Sequence, residues 1–300
     1  MLKAEHLTYI YGAGTPFERR ALDDISFSVQ AGEIAGLIGH TGSGKSTLAQ
    51  HLNALLKPLS GRVLLDGTDI WDKKDARNAR FQVGLVFQYP EYQLFEETVY
   101  KDIAFGVKNK GVDEADGKRR QPTESELDIS VYSAMDFVHL PRELADKSPF
   151  ELSGGQKRRA AIAGVIAMMP KVLILDEPTA GLDPQGRREI LGHIKAYRDA
   201  TGASVVLISH SMDEVARLAD SITVLSEGKT AMSGTPRAVF GRADELEALH
   251  LSVPAFTKVF RLLREMGVDI DDGCYTAEAA EAELLRVKSA VSRGAGEETC

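Results

Sequence analysis

Gly39-His40-Thr41-Gly42-Ser43-Gly44-Lys45-Ser46 carries the spacing G-x-x-x-x-G-K-[ST]. Glycines let such a loop wrap until successive amides point inward at a phosphate, and a helix that starts at its end adds partial positive charge. Lys45 is then the cation for the β- and γ-phosphates, and the Ser46 hydroxyl is a Mg²⁺ ligand. Thr47 continues the loop into the helix and completes the expected phosphate site. Lys171-Val172-Leu173-Ile174-Leu175-Asp176-Glu177 is an apolar strand ending in two carboxylates. Asp176 can hold Mg²⁺ opposite Ser46, while strand alternation points Glu177 the other way, free to orient or deprotonate a water. Taken alone, two acids at a strand end are as often caps or solvated groups. Leu152-Ser153-Gly154-Gly155-Gln156 precedes a helical run over 157–168. A serine and two glycines there make a second anion site, or an ordinary N-cap.

These residues need a sheet to hold them. The stretch 34–38 is continuously apolar, as a strand covered on both faces should be, and 83–87, 172–175 and 204–209 read the same way. Ile25, Phe27 and Val29 alternate with polar residues as in a half-buried strand. Asp66-Gly67 and Glu227-Gly228 sit between short strand candidates and predict hairpins. A helical pattern over 45–56 follows the phosphate loop. The expectation is an α/β fold: a mostly parallel sheet flanked by helices, with antiparallel strands added.

Between 89 and 167 the strand signal gives way to helical patterns, which predicts a helical subdomain at about 90–167 inserted in a domain spanning 1–234. Its polar stretch 108–126 predicts an exposed loop. Residues 235–300 read as a helical extension. Thr235-Pro236 is an N-cap followed by proline, and Phe256, Val259, Phe260, Leu263 and Met266 follow helical spacing. A second helix is expected from about Thr276 to Gly294, with Glu278, Glu281 and Glu283 early and Arg286 and Lys288 late, matching the helix macrodipole. Its apolar stripe, Ala277, Ala280, Leu284, Val287 and Val291, fits either a dimer contact or packing on the main domain.

Composition narrows the classes. Thirty-six basic and 44 acidic residues give a net charge of −8, which argues against a broad basic surface for nucleic acid. Residues 241–300 hold 12 acidic and 7 basic side chains, so most of the excess lies there. Two cysteines, Cys274 and Cys300, exclude a disulfide framework and fit a reducing compartment. The longest apolar run, 160–169, is too short to span a bilayer, and the first residues lack the apolar core of a secretion signal. Any membrane step would need other chains.

Taken in order, the motifs resemble the ATP-binding-cassette (ABC) ATPases, with 152–156 as that superfamily's signature motif. Gln88, after the strand 83–87, resembles the Q-loop glutamine. Ala180-Gly181-Leu182-Asp183 resembles the D-loop, and His210, after 204–209, the switch histidine. Tyr11 resembles the aromatic residue that stacks on adenine, with Tyr9 a competitor for that role. The likeness covers about 1–234. Residues 12–18 and 87–95, with the helical tail, are similar to the ATPases of energy-coupling-factor (ECF) transporters. The Thr15-Pro16-Phe17-Glu18 loop most resembles the second of the two ATPase types there. The aromatic run 89–95 fits a membrane-subunit docking patch or a core cluster.

The resemblance implies two cassettes facing head to tail, with each ATP between one chain's phosphate loop and the other's signature motif. It gives Lys45 the β/γ charge, Ser46, Asp176 and Gln88 the Mg²⁺, Glu177 the water and His210 the γ-phosphate. Ser153, Gly154, Gly155 and Gln156 would serve the partner's nucleotide, and Asp183 would couple the two sites. Implied partners are a second ECF-type ATPase, favouring a heterodimer, a transmembrane coupling subunit and a substrate-binding membrane subunit, with this chain peripheral at the cytoplasmic face. The rival readings are an ordinary ABC importer ATPase, a DNA-repair or translation ABC ATPase, and a non-catalytic nucleotide-binding regulator.

Overall fold

Two sheets collect the chain's apolar runs in the computed structural model, which describes residues 1–72, 75–114 and 118–297. Strands β1 (Leu2–Tyr11) and β2 (Arg19–Val29) form an antiparallel pair, and β3 (Ile34–Gly39) leads into α1 (Lys45–Leu52). β4 (Ser60–Leu65), β5 (Thr68–Asp69), α2 (Asp75–Gln82) and β6 (Val83–Val86) follow. Then comes a helical layer, α3 (Val99–Lys110), β7 (Val112–Asp113), β8 (Arg119–Arg120), α4 (Glu124–Phe137) and α5 (Gly154–Ile166). The chain returns through β9 (Val172–Asp176), α6 (Pro184–Thr201), β10 (Ser204–Ile208), α7 (Met212–Leu218), β11 (Ser221–Ser226) and β12 (Lys229–Gly234). Helices α8 (Pro236–Phe240), α9 (Ala243–Ala248), α10 (Ala255–Glu265) and α11 (Ala277–Glu297) complete it.

The main sheet has the order β12-β11-β3-β10-β9-β6, parallel except for the β11–β12 hairpin. Four of its strands, β3, β6, β9 and β10, are buried along their whole length, the burial their unbroken apolar runs require. The second sheet, β2-β1-β4-β5, is antiparallel. This is the mixed α/β architecture the sequence predicts. Val29, Ala35, Leu37 and Leu48 belong to one core between the sheets and α1, while Ile103, Val131, Ala160 and Leu175 belong to another beneath the helical layer.

Some boundaries differ from expectation. Helix α1 stops at Leu52 because Ala54 takes φ 58°, a left-handed conformation that cannot continue a helix. The stretch 108–126 is not one loop: α3 runs to Lys110, a two-residue hairpin pairs Val112 with Arg120, and a Thr123–Glu126 capping box starts α4. Residues 115–117 of that stretch lie outside the described residues. Helix α11 runs through Gly294 to Glu297.

Beyond β12 the packing divides. Phe240, Leu246 and Val253 share a core with Ile38 and Val224 of the main sheet. Phe260, Ile270, Cys274 and Ala280 form a smaller core of their own. Two side chains of the anticipated α11 stripe differ, Ala280 being buried and Leu284 exposed, whereas the side chain of Val291 and the whole of Cys300 lie outside the described residues. Among the described residues no helix is long and apolar enough to cross a membrane.

Candidate functional site

Three adjacent parallel strands end at one place. Register pairs Ile208 of β10 with Leu37 of β3 on one side and Asp176 of β9 on the other. The phosphate loop leaves β3, Glu177 follows β9 and His210 lies two residues past β10. Such a carboxyl-end cluster is where open α/β sheets bind ligands.

The loop from Gly39 to Ser46 is braced from outside its own motif. Gly228, in the β11–β12 turn, donates its amide to Ser43 O at 3.2 Å, and Asp23 N donates to Gly228 O at 2.7 Å. At Gly39 a Cβ would stand 2.3 Å from Leu225 O, so only glycine lets the loop leave the strand there. Lys45 Nζ donates to Gly39 O at 2.8 Å and His40 O at 3.0 Å. Burial lowers its pKa, with Glu177 and Asp176 pulling the other way. His40 Nδ1 lies 2.9 Å from Thr41 O, and Ser43 Oγ is buried with no hydrogen-bond partner. Ser46 is exposed at the head of α1.

Both carboxylates of the 176–177 pair are buried. Burial pushes Asp176 up, while a hydrogen bond with the Ser46 hydroxyl and the nearby Lys45 hold it down. A hydroxyl beside a buried carboxylate is a hard-oxygen pair of the kind Mg²⁺ takes. Glu177 differs from expectation in one respect. The strand ends at Asp176, and Glu177 takes φ 52°, so a left-handed turn and not the pleat sets its direction. Burial pushes its carboxyl up to about 7, opposed by the His210 backbone N–H. His210 Nε2 lies 3.3 Å from Glu177 Oε1, yet that oxygen has no aligned hydrogen bond. A buried, under-satisfied carboxylate near neutral pKa is equipped to take a proton. Burial and Lys45 lower the His210 imidazole, against Asp176.

Glu214, which carries no motif, steadies this end of the sheet. Its buried carboxylate accepts from Thr179 Oγ1 and Ser209 Oγ, each at 2.9 Å. It thereby ties the turn after Glu177 to the strand end before His210.

The remaining candidates divide into two groups. Tyr11, Gly42, Gly44, Lys45, Ser46 and Thr47 line a 180 Å³ cavity with Arg19 and Ala21. Tyr11 is exposed there, with its hydroxyl 3.3 Å from Thr47 Oγ1. Tyr9 is half-buried against His51, ring centroids 4.6 Å apart, and does not line the cavity. Gln88 is exposed just past β6.

Gly155 and Asp183 instead line a separate 570 Å³ cavity with Arg158, Gly181 and Glu189. Ser153 caps α5: its Oγ accepts from Gln156 N at 3.3 Å, and Gln156 Oε1 accepts from Ser153 N at 2.9 Å. Nothing lies within 4 Å of a Cβ built on Gly154 or Gly155, so this helix end faces open space. Asp183 caps α6, accepting from Gly186 N at 2.7 Å.

Arg158 escaped sequence reasoning altogether. It is 4% exposed, donates to Ala180 O at 2.6 Å and Pro178 O at 3.4 Å, and stands 3.5 Å from Glu91 Oε2. One guanidinium thus joins the signature helix, the 178–183 loop and the turn Pro90–Gln93. In the aromatic run 89–95, Tyr89, Tyr92 and Phe95 are exposed, whereas Leu94 is buried in the core beneath the helical layer. The 3₁₀ turn rolls Leu94 inward, so it is no part of a surface patch.

Comparison with known proteins agrees with this geometry. The family model for ABC transporter matches residues 22–180. The chain is 54% identical over 286 residues to the energy-coupling factor transporter ATP-binding protein EcfA2 of Caldanaerobacter subterraneus subsp. tengcongensis, covering 95% of this chain and 96% of the relative. It is 52% identical over 294 residues to the protein so named of Clostridium acetobutylicum, covering 97% and 99%. Among solved structures it resembles cbiO1 from Clostridium perfringens, part of the ABC transporter complex cbiONQ, with TM-score 0.70 and 37% identity over 88% of this chain and 98% of that one. A dimeric ATP-binding cassette in a post-hydrolysis state, bound to ADP and Pi, also gives TM-score 0.70, at 26% identity over 79% and 99%. With the motif residues gathered at the sheet's carboxyl end, these likenesses identify the chain as a member of the ABC transporter family, among the ATP-binding proteins of energy-coupling-factor transporters.

Proposed function

We propose that this chain binds and hydrolyses ATP as one of two facing cassettes and drives uptake through membrane subunits of an ECF transporter. The observation that carries this is Glu177: a buried carboxyl at about 7, beside Asp176, Lys45 and His210, where three strands end. In this reading Lys45 leaves the carbonyls of Gly39 and His40 for the β- and γ-phosphates. Ser46 and Asp176, with Gln88 at the rim, would hold Mg²⁺, which supplies charge neutralisation at the phosphate oxygens. Glu177 takes the proton of the attacking water, and His210, neutral by virtue of its lowered pKa, donates to the γ-phosphate. Tyr11 offers its ring to adenine.

A nucleotide so held exposes its γ-phosphate away from the loop. The open N-terminus of α5, with Ser153, Gly154, Gly155 and Gln156, and Asp183 beside it, suits the nucleotide of a second cassette. ATP closes such a pair and hydrolysis releases it. Relatives named as EcfA2 favour a non-identical second cassette. Exposed Tyr89, Tyr92 and Phe95 suit a transmembrane coupling subunit, which would seat the chain at the cytoplasmic membrane face, and a substrate-binding subunit would supply a vitamin or metal ion. The exposed face of α10, with Val259 and Leu262 and with Met266 at its C-cap, suits a further contact within the ATPase pair.

The test is Glu177→Gln in the complex purified with its membrane subunits. ATP binding should persist while turnover falls below a hundredth of wild type; turnover near the wild-type rate would refute the assignment. Co-purification of a small substrate-capturing membrane protein separates the ECF reading from an ordinary importer.

A further inference from the structure

Arg19 opens β2 directly opposite Tyr11 of β1 in the antiparallel register. Both side chains line the 180 Å³ cavity above the phosphate loop. The guanidinium reaches over that loop: its Nη2 stands 3.1 Å from where a Cβ on Gly42 would be. Arg19 is exposed, and no carboxylate among the described residues pairs with it; the carboxylate of the next arginine's ion pair, Asp23, bonds Arg20 and Lys229 instead. A cation held over a glycine-rich loop without a counter-charge is placed for an anion.

We propose that Arg19 is a nucleotide-phosphate ligand outside the recognised motifs, pairing with the α-phosphate of bound ATP or ADP. The position selects that phosphate. Tyr11 marks the base end of the cavity and Lys45 the β/γ end, and Arg19 is the register partner of the first while its guanidinium reaches Gly42, three residues before the second in the loop. Loop amides serve the same stretch from below, so the arginine closes it from above. The assignment rests on the nucleotide reading of this cavity. Because the α-phosphate is common to ATP and ADP, the contact strengthens both equally and does not distinguish substrate from product.

Equilibrium binding of MgATP and MgADP to the full chain tests this, using wild type, Arg19→Ala and Arg19→Lys, with thermal unfolding to establish that each variant is folded. A charge-assisted contact at an exposed site predicts that Arg19→Ala weakens both nucleotides by the same factor, roughly three- to tenfold at low salt. The gap should narrow at high ionic strength, and Arg19→Lys should fall between. Affinities equal to wild type at low salt would overturn the proposal, as would a loss confined to ATP, which would move the contact to the γ-phosphate. A loss unaffected by salt would also overturn it, pointing to strand packing. Wild type that binds neither nucleotide would instead overturn the nucleotide reading itself.

Discussion

Replacing Glu177 with glutamine should stabilise the nucleotide-free protein while it abolishes turnover. The folded chain holds this carboxyl at about 7 against an ordinary 4.5, chiefly because burial disfavours the ionised form. At about 1.4 kcal/mol per pKa unit, that displacement corresponds to about 3 kcal/mol of folding free energy lost on ionisation. Solvent entering the open site reduces this to roughly 1.5–3 kcal/mol. Below 4.5 the carboxyl is protonated in both states and nothing is lost. Between 4.5 and 7 the unfolded chain ionises first, so stability falls as pH rises, and above 7 the full cost stands. Glutamine carries no such cost. Urea unfolding of wild type and Glu177→Gln at pH 8 and pH 5 reads the difference directly. The variant should be more stable by about 2 kcal/mol at pH 8 and by under about 1 kcal/mol at pH 5. The same difference at both pH values, or a less stable variant at pH 8, would refute the reasoning.

Three other outcomes follow from the same geometry. If Glu177 must be ionised in the free enzyme, kcat/KM for ATP should rise with pH through about 7, lying about tenfold under its plateau at pH 6; a flat profile between pH 6 and 8 would exclude it as the base. Gly155→Ala meets no atom of its own chain within 4 Å, so it should leave unfolding unchanged while crowding the second cassette's nucleotide and cutting turnover of the pair at least about tenfold; full turnover would place that nucleotide elsewhere. Arg158→Met leaves the Glu91 carboxylate without its counter-charge and should cost about 3 kcal/mol in urea unfolding, whereas a loss under about 1 kcal/mol would mean that the ion pair is dispensable.

The strands and the phosphate loop could be read from the sequence because each is written in contiguous residues. An unbroken apolar run of five residues can only be a buried element, and G-x-x-x-x-G-K-S carries its geometry in its own spacing. Helix ends were less legible where one residue changed hand, as Ala54 does. The direction of Glu177 was misread because the pleat rule was carried one residue past the strand. The run 89–95 could not be divided into exposed tyrosines and a buried Leu94, because a 3₁₀ turn has no apolar period long enough to recognise. Arg158 and Glu214 were invisible for a deeper reason. Their roles come from partners on other elements, such as Thr179 and Ser209 converging on Glu214, and no local pattern records such meetings.

The buried guanidinium of Arg158 has a mechanical consequence. Its donors are fixed in one plane, and hydrogen bonds weaken steeply once they are bent out of line. A push on Tyr92, next in the chain to Glu91, acts on the ion pair with Arg158 and through it on the carbonyls of Pro178 and Ala180. Force applied at the rim thus has a direct route to the loop that follows Glu177, as in a linkage with a single pin.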